Sequence, residues 1–458
     1  MGVAAPILKE LSEIVEVLPE EENRKYESDR WVYLRLEGAR GGHALAVVRP
    51  KDEHQVAQAV KLCARGGLRL TCRGGGSSVT GSSVPIDAVV MDMSMMSRII
   101  EVDRENMVVR VEAGARLSDV EAQLNRLGYT LGQFPQSFHL ATVGGYLSTM
   151  GTGEFSGEYG GAEDSCLSLR VVLPDGSIVD TRSTDAPRSS AGPDTTRLFI
   201  GAEGSLGVIV SARLKIYRLS AHTVKLAYTF QEFIQALSAA KSLLELDVKP
   251  AVCRVYNEQE SSYVFGQNSP VMLLIYHFRS PRIAEALTGE VRDTLTARGA
   301  KEADAGLVDK WLVDRFKYDE QLGTLYGAGY IVDTVEIGSS WSNAPALYGD
   351  LVKQLPQIEG VVGFGAHVSH IYNQGACVYI TVIMKPNANT YTRLWVEFTS
   401  SPPVLRHNPQ PRLYWLDSEP KSRRHLICVE AGRVHNTLAS EVTPSGSQLE
   451  NRAPGFAG

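Results

Sequence analysis

The segment that most constrains the fold lies between residues 71 and 81 and reads TCRGGGSSVTG. Three successive glycines, Gly74, Gly75 and Gly76, follow an apolar run and precede Ser77 and Ser78. Glycine adopts backbone conformations that are closed to other residues, so a turn of this composition can aim its amide groups at an anion. The segment predicts a phosphate-binding loop, although a tight turn after a strand gives the same pattern.

The residues before this loop give it a structural context. An apolar run over 44–49 predicts a strand, and Pro50 to Asp52 signal the start of an amphipathic helix that ends at Gly66 and Gly67. A second apolar run then leads into the three glycines. The order strand, helix, strand, glycine loop predicts a βαβ-like unit that carries a phosphate site.

Length and charge limit the classes of partner. The 458 residues exceed what a single core usually holds, and predict two or three domains of roughly 100–200 residues each. With 46 basic and 52 acidic residues the net charge is only −6. Neither nucleic acid nor an anionic membrane surface is an expected partner, and a small-molecule substrate is favoured.

The cysteines and the hydropathy pattern bear on compartment. Six cysteines are scattered without a C-x-x-C pair, which speaks against a zinc site and a disulfide framework. No apolar run approaches the ~20 residues that cross a bilayer, and the acidic N-terminus does not have the pattern of a signal peptide. We therefore expect a cytoplasmic protein without an integral membrane segment.

Four further motifs follow the glycine loop in a fixed order: PQSFHLATVGGYLSTMGTG (135–153), EYGGAEDSCLSLRVVLPDG (158–176), PRSSAGPD (187–194) and GAEGSLGVI (201–209). Together with the loop they resemble the PCMH-type FAD-binding domain of the vanillyl-alcohol oxidase and p-cresol methylhydroxylase superfamily. The resemblance covers residues 42–218. It implies an α+β fold in which an FAD-binding domain of two subdomains is followed by an α+β cap domain, an antiparallel sheet with helices on one face.

Four segments are expected along the chain. They are an N-terminal helix and arm (1–40), the FAD-binding domain (41–219), the substrate or cap domain (220–395) and a divergent C-terminal tail (396–458). The tail is rich in Ser, Pro and Arg and shows no sustained periodicity. We interpret it as poorly structured or as out of frame relative to its relatives, a hypothesis that translation of the other reading frames of the gene tests.

The resemblance also implies which residues hold the cofactor. The glycine loop would wrap the diphosphate, the 135–151 segment would follow the ribityl chain, and the 203–209 segment would meet the adenine half or the ring edge. The residues are Arg73, Gly74, Gly75, Gly76, Ser77, Ser78, Pro135, Gln136, Ser137, Thr142, Gly144, Gly145, Ser148, Thr149, Gly151, Glu203, Gly204, Gly207, Val208 and Ile209. Covalent members carry a histidine near the position of Ser77, so non-covalent FAD is expected.

Within the superfamily the motifs YGGAED, PRSSAGPD and YNQGAC look most like the alkylglycerone-phosphate synthase branch. The related branch of D-lactate dehydrogenase and glycolate oxidase has an H-A-G-D-G-N-x-H motif, whose acidic and glycine core is missing here. The resemblance carries catalytic roles to Tyr372, as a proton donor or acceptor, and to Arg254, near the ring. His370 is a candidate base. Because His367 and His370 should point to opposite faces of a strand, no metal site is expected.

Two departures from the synthase branch keep the reaction open. Its substrate-anchoring arginine falls on or near Leu322, with Arg315 about two helical turns away, and its terminal histidine motif is missing. We favour an FAD-linked oxidase or dehydrogenase that moves a hydride from a D-2-hydroxy acid to flavin N5. The alternatives are the synthase, a non-redox exchange through flavin N5, and an FAD-binding protein without turnover. The electron acceptor is unknown, and a homodimer is one open assembly.

Overall fold

The computed structural model describes residues 4–35, 41–182 and 190–385. The predicted tail (396–458) and residues 187–189 of the PRSSAGPD motif therefore lie outside the described residues. The chain begins with helix α1 (Ala4–Ile14), which places Ile7 and Leu11 in the core beside the first sheet. This confirms the predicted N-terminal helix.

The first sheet has four strands and carries the glycine loop. Its elements are β1 (Glu16–Val17), β2 (His43–Arg49), α2 (Glu53–Arg65), β3 (Arg69–Arg73) and β4 (Ile86–Asp92). The Asp52 carboxylate caps α2 by accepting hydrogen bonds from the amides of His54 and Gln55. The strand order is β1-β2-β4-β3, with β2 and β3 both parallel to β4. The predicted strand, helix and strand are confirmed, and β4 lies between the two strands.

The second sheet has five strands, in the order β5-β6-β10-β8-β9, and every pairing is antiparallel. The elements of this part are β5 (Ile99–Asp103), β6 (Val108–Glu112), α3 (Leu117–Arg126), β7 (Tyr129–Thr130), α4 (Val143–Ser148), α5 (Ser156–Tyr159), α6 (Ala162–Ser165), β8 (Cys166–Val172), β9 (Ile178–Asp180), α7 (Thr196–Phe199), β10 (Val208–Lys215) and β11 (Tyr217–Arg218). Strands β7 and β11 form a separate two-stranded ribbon. The two sheets form the two subdomains that the resemblance implies.

The cap contains a seven-stranded sheet in the order β15-β12-β14-β13-β17-β18-β16, again with every pairing antiparallel. Its elements are β12 (His222–Thr229), α8 (Phe233–Leu243), β13 (Val252–Tyr256), α9 (Glu258–Phe265), β14 (Val271–Phe278), α10 (Pro281–Ala297), β15 (Lys301–Ala303), α11 (Gly306–Asp314), α12 (Tyr318–Gly327), β16 (Ile331–Ser340), α13 (Ala344–Gln354), β17 (Val361–Tyr372) and β18 (Gly375–Met384). The expected α+β fold with an antiparallel cap sheet is confirmed.

One apolar cluster joins the cap to the predicted FAD-binding domain (41–219), which we call the flavin half. Phe155 and Tyr159, from the segment around α5, are buried together with Leu273 of β14 and Trp311 of α11. Burial of these large side chains fixes the segment that starts at Gly153 against the cap sheet. Polar residues carried by the same segment are thereby brought to the cap. Among the described residues, no helix is long and apolar enough to cross a membrane.

Candidate flavin and substrate site

The glycine loop packs against the segment that follows Pro135. A Cβ atom added to Gly74 would lie 2.1 Å from Oγ1 of Thr142, and one added to Gly75 would lie 1.8 Å from the carbonyl oxygen of Leu140. Gly76 has a φ of +63°, in the region that favours glycine. The three glycines are therefore required by close approach and by backbone conformation. From the sequence, the glycines were expected only to leave room for a bound anion.

The amides of this loop are available to an anion. Within the described residues, the main-chain amides of Gly75, Gly76, Ser77 and Ser78 donate no hydrogen bond to another protein group. Half-buried amides are normally paired, so the unpaired amides of Gly76, Ser77 and Ser78, next to the exposed amide of Gly75, mark a place for an external acceptor. A diphosphate, with several strong acceptor oxygens, fits these donors. The residues present therefore fit the diphosphate of FAD.

The side chain of Arg73 has a different task from the amides that follow it. Its guanidinium donates to the carbonyl oxygens of Tyr26 (3.2 Å) and Ser28 (2.9 Å), and lies over the Tyr26 ring. The arm before β2 is thus tied to the base of the glycine loop. The side-chain donors of Arg73 are used in binding the carbonyl oxygens of this arm. Arg73 can therefore contact a cofactor through its main chain.

The 135–151 segment turns sharply and then begins α4. The Ser137 carbonyl accepts from the amides of Leu140 and Ala141, both at 2.8 Å, and Oγ1 of Thr142 caps α4 by accepting from Gly145. The amide of Gly144 donates to the Ala113 carbonyl at 2.7 Å, which holds the helix against the end of β6. Of the other predicted residues, Pro135 is buried and Gln136 exposed, while Ser148, Thr149 and Gly151 lie at the end of α4.

The 201–209 segment closes over the end of α4. The amide of Glu203 donates to the Ser148 carbonyl at 2.9 Å, and Gly204 approaches Cys72 of β3. Gly207 packs against β8, where an added Cβ would meet the Val172 carbonyl at 2.7 Å. The structure thus brings the three predicted segments together around the end of β3. The side chains of Val208 and Ile209 are 5% and 6% exposed and belong to the core, so these two residues offer only main-chain atoms.

The predicted catalytic residues Tyr372 and His370 lie at the end of β17 and meet a serine of the flavin half. Oγ of Ser156 lies 2.7 Å from Nδ1 of His370, and the same hydroxyl lies near the phenol of Tyr372. Burial raises the pKa of Tyr372 to about 12, a shift that the nearby Ser156 hydroxyl opposes. Burial, together with the charges of Arg254 and His367, lowers the pKa of His370 to about 3. Both groups are therefore neutral near pH 7.

The expectation that His367 and His370 point to opposite faces is wrong. Between β17 and β18 the register shifts at residues 368–370, so that Ser369 is an extra residue in a β-bulge. The bulge turns both imidazoles toward Tyr379, with ring centroids at 5.0 Å for His367 and 5.8 Å for His370. Nδ1 of His367 is 2.8 Å from Oε1 of Glu260. In the part of the chain that the structure describes, no group of three or more His, Cys, Asp or Glu residues could hold a metal ion.

Arg254 belongs to a buried charged cluster. Glu154 is 8% exposed and lies between two guanidinium groups, at 3.8 Å from Arg254 and 3.1 Å from Arg315. Nε of Arg254 donates to the Tyr256 hydroxyl at 2.7 Å, whereas Nε of Arg315 is buried without a hydrogen-bond partner among the described residues. Burial raises the pKa of Glu154, and the two guanidinium groups oppose that shift. Glu260 also acts on Arg254, so two carboxylates lie near the two guanidinium groups.

Aromatic rings enclose the guanidinium of Arg315. It lies 5.4 Å from the Phe134 ring, 5.2 Å from Phe155, 5.3 Å from Trp311 and 4.5 Å from Phe316. Arg315 directly follows α11, while Leu322 lies in α12 and is 7% exposed, so the two do not share one helix as the sequence suggested. The cation beside Glu154 is Arg315, whereas the position predicted for the anchoring arginine, Leu322, is apolar.

Sequence reasoning missed Glu154 and Ser156. They belong to the segment TGEFSGEYG between two quoted motifs, and neither carries a local signature. Their partners are 161 and 214 positions away along the chain. The signal that could have found Glu154 is an acidic residue in a segment otherwise made of small and aromatic residues, because a carboxylate there needs a cationic partner once buried.

Comparison with known proteins agrees with this geometry. Residues 44–182 match the FAD binding domain family, and residues 219–401 match the C-terminal domain of FAD linked oxidases. The chain belongs to the PCMH-type FAD-binding superfamily. Its cofactor is FAD, as the resemblance implied, and it is an FAD-linked oxidoreductase-family protein.

Its relatives in this superfamily carry out more than one reaction. The alkyldihydroxyacetonephosphate synthase of Dictyostelium discoideum is 26% identical over 77% of this chain and 63% of its own length. An uncharacterized FAD-linked oxidoreductase of Escherichia coli K12 is 28% identical over 73% of this chain and 72% of its own length. The mitochondrial D-lactate dehydrogenase [cytochrome] of Arabidopsis thaliana is 34% identical over 42% of this chain and 34% of its own length. The chain thus spans less than two thirds of the Dictyostelium relative.

Solved structures support the fold of this FAD-linked protein. One alkyldihydroxyacetonephosphate synthase structure has a TM-score of 0.74 at 22% identity, over 90% of this chain and 85% of its own. p-Cresol methylhydroxylase has a TM-score of 0.74 at 14% identity, over 97% and 95% of the two chains. These likenesses establish the architecture and leave the substrate open.

Proposed function

We propose that this flavoprotein is an FAD-dependent oxidoreductase that removes a hydride from the hydroxyl-bearing carbon of a small D-2-hydroxy acid of the lactate or glycolate type. The observation that carries the proposal is the pairing of two clusters. Glu154, with its two arginines, and Ser156, with His370 and Tyr372, are separated in the chain by Phe155 alone. An anion site thus lies next to a group of proton-exchanging side chains.

The charged cluster suits the carboxylate of the substrate. Among the described residues, Nε of Arg315 is a buried donor without an acceptor. An incoming carboxylate would accept a charge-assisted hydrogen bond from this donor. Arg254 would then keep Glu154 as its partner while Arg315 turns to the substrate.

The second cluster suits transfer of the hydroxyl proton. In the arrangement that we propose, the Tyr372 phenol donates to Oγ of Ser156, and Ser156 donates to Nδ1 of His370. The phenol oxygen would accept the substrate proton while its own proton moves along this chain. Burial keeps His370 unprotonated near pH 7, so its Nδ1 can accept the hydrogen bond from Ser156.

FAD, when bound, supplies the hydride acceptor that this chemistry requires. We propose that the loop amides of residues 75–78 hold its diphosphate, that the 135–151 and 203–209 segments flank the rest of the molecule, and that the cap residues Arg254, His370 and Tyr372 face the substrate. The cofactor would be held without a covalent bond, since position 77 carries a serine where covalent members carry histidine.

A second candidate function is that of an alkyldihydroxyacetonephosphate synthase. It is supported by the Dictyostelium relative, and the Arg254 and Arg315 cluster could also receive a phosphate. The missing arginine near Leu322 weighs against it. A third candidate, an FAD-binding protein without turnover, rests on the divergent residues 396–458.

Anaerobic titration of the purified flavoprotein separates these candidates. A panel of D-2-hydroxy acids should bleach the visible flavin band under the first proposal, and their L-enantiomers should not. Bleaching by palmitoyl-dihydroxyacetone phosphate, with no response to any hydroxy acid, would favour the synthase and contradict the first proposal. A spectrum that none of these compounds changes would favour the third candidate.

A further inference from the structure

A cavity of about 450 Å³ lies between α3 and the cap strands β12 and β14. This volume is in the range of small-molecule sites in proteins. The glycine loop, Arg254, His370 and Tyr372 do not line it, so the proposed function leaves it unused. Its lining residues are Ser118, Glu121, Ala122, Asn125, Thr130, Phe134, Phe138, Phe155, Tyr159, Leu219, Ser220, Thr223 and His277.

Aromatic rings form much of the wall. Phe134, Phe138, Phe155 and Tyr159 line the cavity, and the centroids of Phe134 and Phe155 are 5.0 Å apart. These two rings also contact the guanidinium of Arg315. They therefore lie between the cavity and the charged cluster of the substrate site, and an aromatic ring attracts cations to both of its faces.

A buried carboxylate without a cationic partner lines the same cavity. Glu121 is 6% exposed, and its oxygens accept from the Asn125 amide (2.7 Å), the Thr130 hydroxyl (2.6 Å) and the main-chain amide of Leu131 (2.7 Å). All three donors are neutral. Across the described ranges, no Lys or Arg forms an ion pair with Glu121, whereas buried carboxylates are normally paired with a cation.

The histidine of the lining does not supply the missing charge. Nδ1 of His277 lies 2.8 Å from Oε2 of Glu158 and 3.1 Å from the Tyr159 hydroxyl. If His277 is protonated, Glu158 balances its charge, and if it is neutral, Glu158 adds a second negative charge nearby. Among the residues that the structure describes, no Lys or Arg lines the cavity. In both cases the carboxylate of Glu121 leaves the cavity negative.

We propose that this cavity is a binding site for a small organic cation. The positive group would lie between the aromatic faces and the Glu121 carboxylate, the two features that stabilise organic cations in proteins. An anion would meet the charge of Glu121 with no cation to compensate it. A neutral ligand would fill the space without pairing that charge. The site is independent of the reaction that the flavin half carries out.

Three compounds of the same shape test the proposal on the full chain with FAD bound. Isothermal titration with benzamidine (cation), benzamide (neutral) and benzoate (anion) should show saturable binding of benzamidine. Benzamide should bind at least about tenfold more weakly and benzoate not at all. Benzamide or benzoate binding as tightly as benzamidine, or no binding of benzamidine at millimolar concentrations, would overturn the proposal.

Two variants test whether benzamidine binds in this cavity. Glu121→Gln removes the charge at nearly constant shape and should weaken benzamidine binding at least about tenfold. Ala122→Trp adds a large side chain at an exposed position of the lining and should abolish binding without changing the flavin spectrum. Glu285→Gln, on the exposed face of α10, is the matched control and should bind as the parent does. If Glu121→Gln does not fold, Ala122→Trp decides, and unchanged benzamidine binding in that variant contradicts the site.

Discussion

The glycine loop and the polar clusters at the cap were assembled in different ways. The loop packs against a segment whose first residue lies about 60 positions downstream, and its glycines are contiguous in the sequence. The clusters join residues 161 and 214 positions apart through a cap sheet that must first fold. A contiguous motif is visible in the sequence, whereas a cluster made by tertiary structure is visible only once the strands are in register.

The conformations of the two regions are also maintained by different interactions. The loop is fixed by the absence of side chains, because a Cβ at Gly74 or Gly75 would overlap the 140–142 segment. The charged cluster is fixed by compensation, because Glu154 offsets two guanidinium groups that burial would otherwise disfavour. Substitutions in the loop should therefore remove the cofactor, and substitutions in the cluster should change stability and turnover.

The largest effect is expected for Gly75→Val. Its Cβ would lie 1.8 Å from the Leu140 carbonyl oxygen, so the loop must shift away from the 140–142 segment. We expect FAD affinity to fall at least about a hundredfold, or about 3 kcal/mol, by titration of flavin fluorescence. Gly289→Ala in α10, where an added Cβ meets nothing within 4 Å, is the control. Full FAD occupancy in the valine variant would show that the loop is not required.

The role of the charged cluster in stability is tested by Glu154→Gln, which removes the carboxylate between two buried guanidinium groups. We expect the free energy of unfolding to fall by about 3 kcal/mol in urea denaturation, with partial recovery in Glu154→Gln/Arg315→Met. The ion pair between Arg292 and Glu302 has the same 3.1 Å nitrogen–oxygen distance as the pair between Arg315 and Glu154, but its side chains are about half exposed. Glu302→Gln should change stability by less than about 0.5 kcal/mol. Equal losses for the two pairs would contradict the role of burial.

The pH dependence of stability tests the burial of His370. Burial lowers its folded-state pKa to about 3 from 6.5, so below pH 6.5 the unfolded chain binds the extra proton and stability is lost as the pH falls. Between pH 6.5 and 5 this loss is about 2 kcal/mol in the parent and should be absent in His370→Gln. Parallel curves for parent and His370→Gln would refute the assignment.

The smallest effect is expected for Ser156→Ala, which interrupts the chain between Tyr372 and His370. The rate of flavin reduction by a bleaching hydroxy acid should fall about tenfold, or about 1.4 kcal/mol, with FAD affinity unchanged. Stopped-flow reduction measures the rate, and Ser12→Ala on the exposed face of α1 is the control. An unchanged rate would remove Ser156 from the proton path.

The local motifs, and the family resemblance that they carry, predicted the architecture and the cofactor because each motif is contiguous in the sequence. The pattern of residues 43–76 predicted a strand, a helix and a glycine loop, whereas FAD and the cap sheet were implied by the resemblance. The faces of His367 and His370 were predicted wrongly because the bulge at Ser369 has no signature in the sequence. Glu154 and Ser156 were missed since their roles follow from partners that only the cap sheet brings to them. The roles of the individual site residues remain predictions.

The most direct measurement is titration of the purified full chain with FAD, followed by removal of unbound FAD and a visible spectrum. The account predicts the absorption band of an oxidised flavin at one FAD per chain, released on denaturation because the cofactor is not covalently bound. The Gly75→Val variant should remain colourless under the same treatment. A parent protein that stays colourless in excess FAD would contradict the claim that the free amides of residues 75–78 bind its diphosphate.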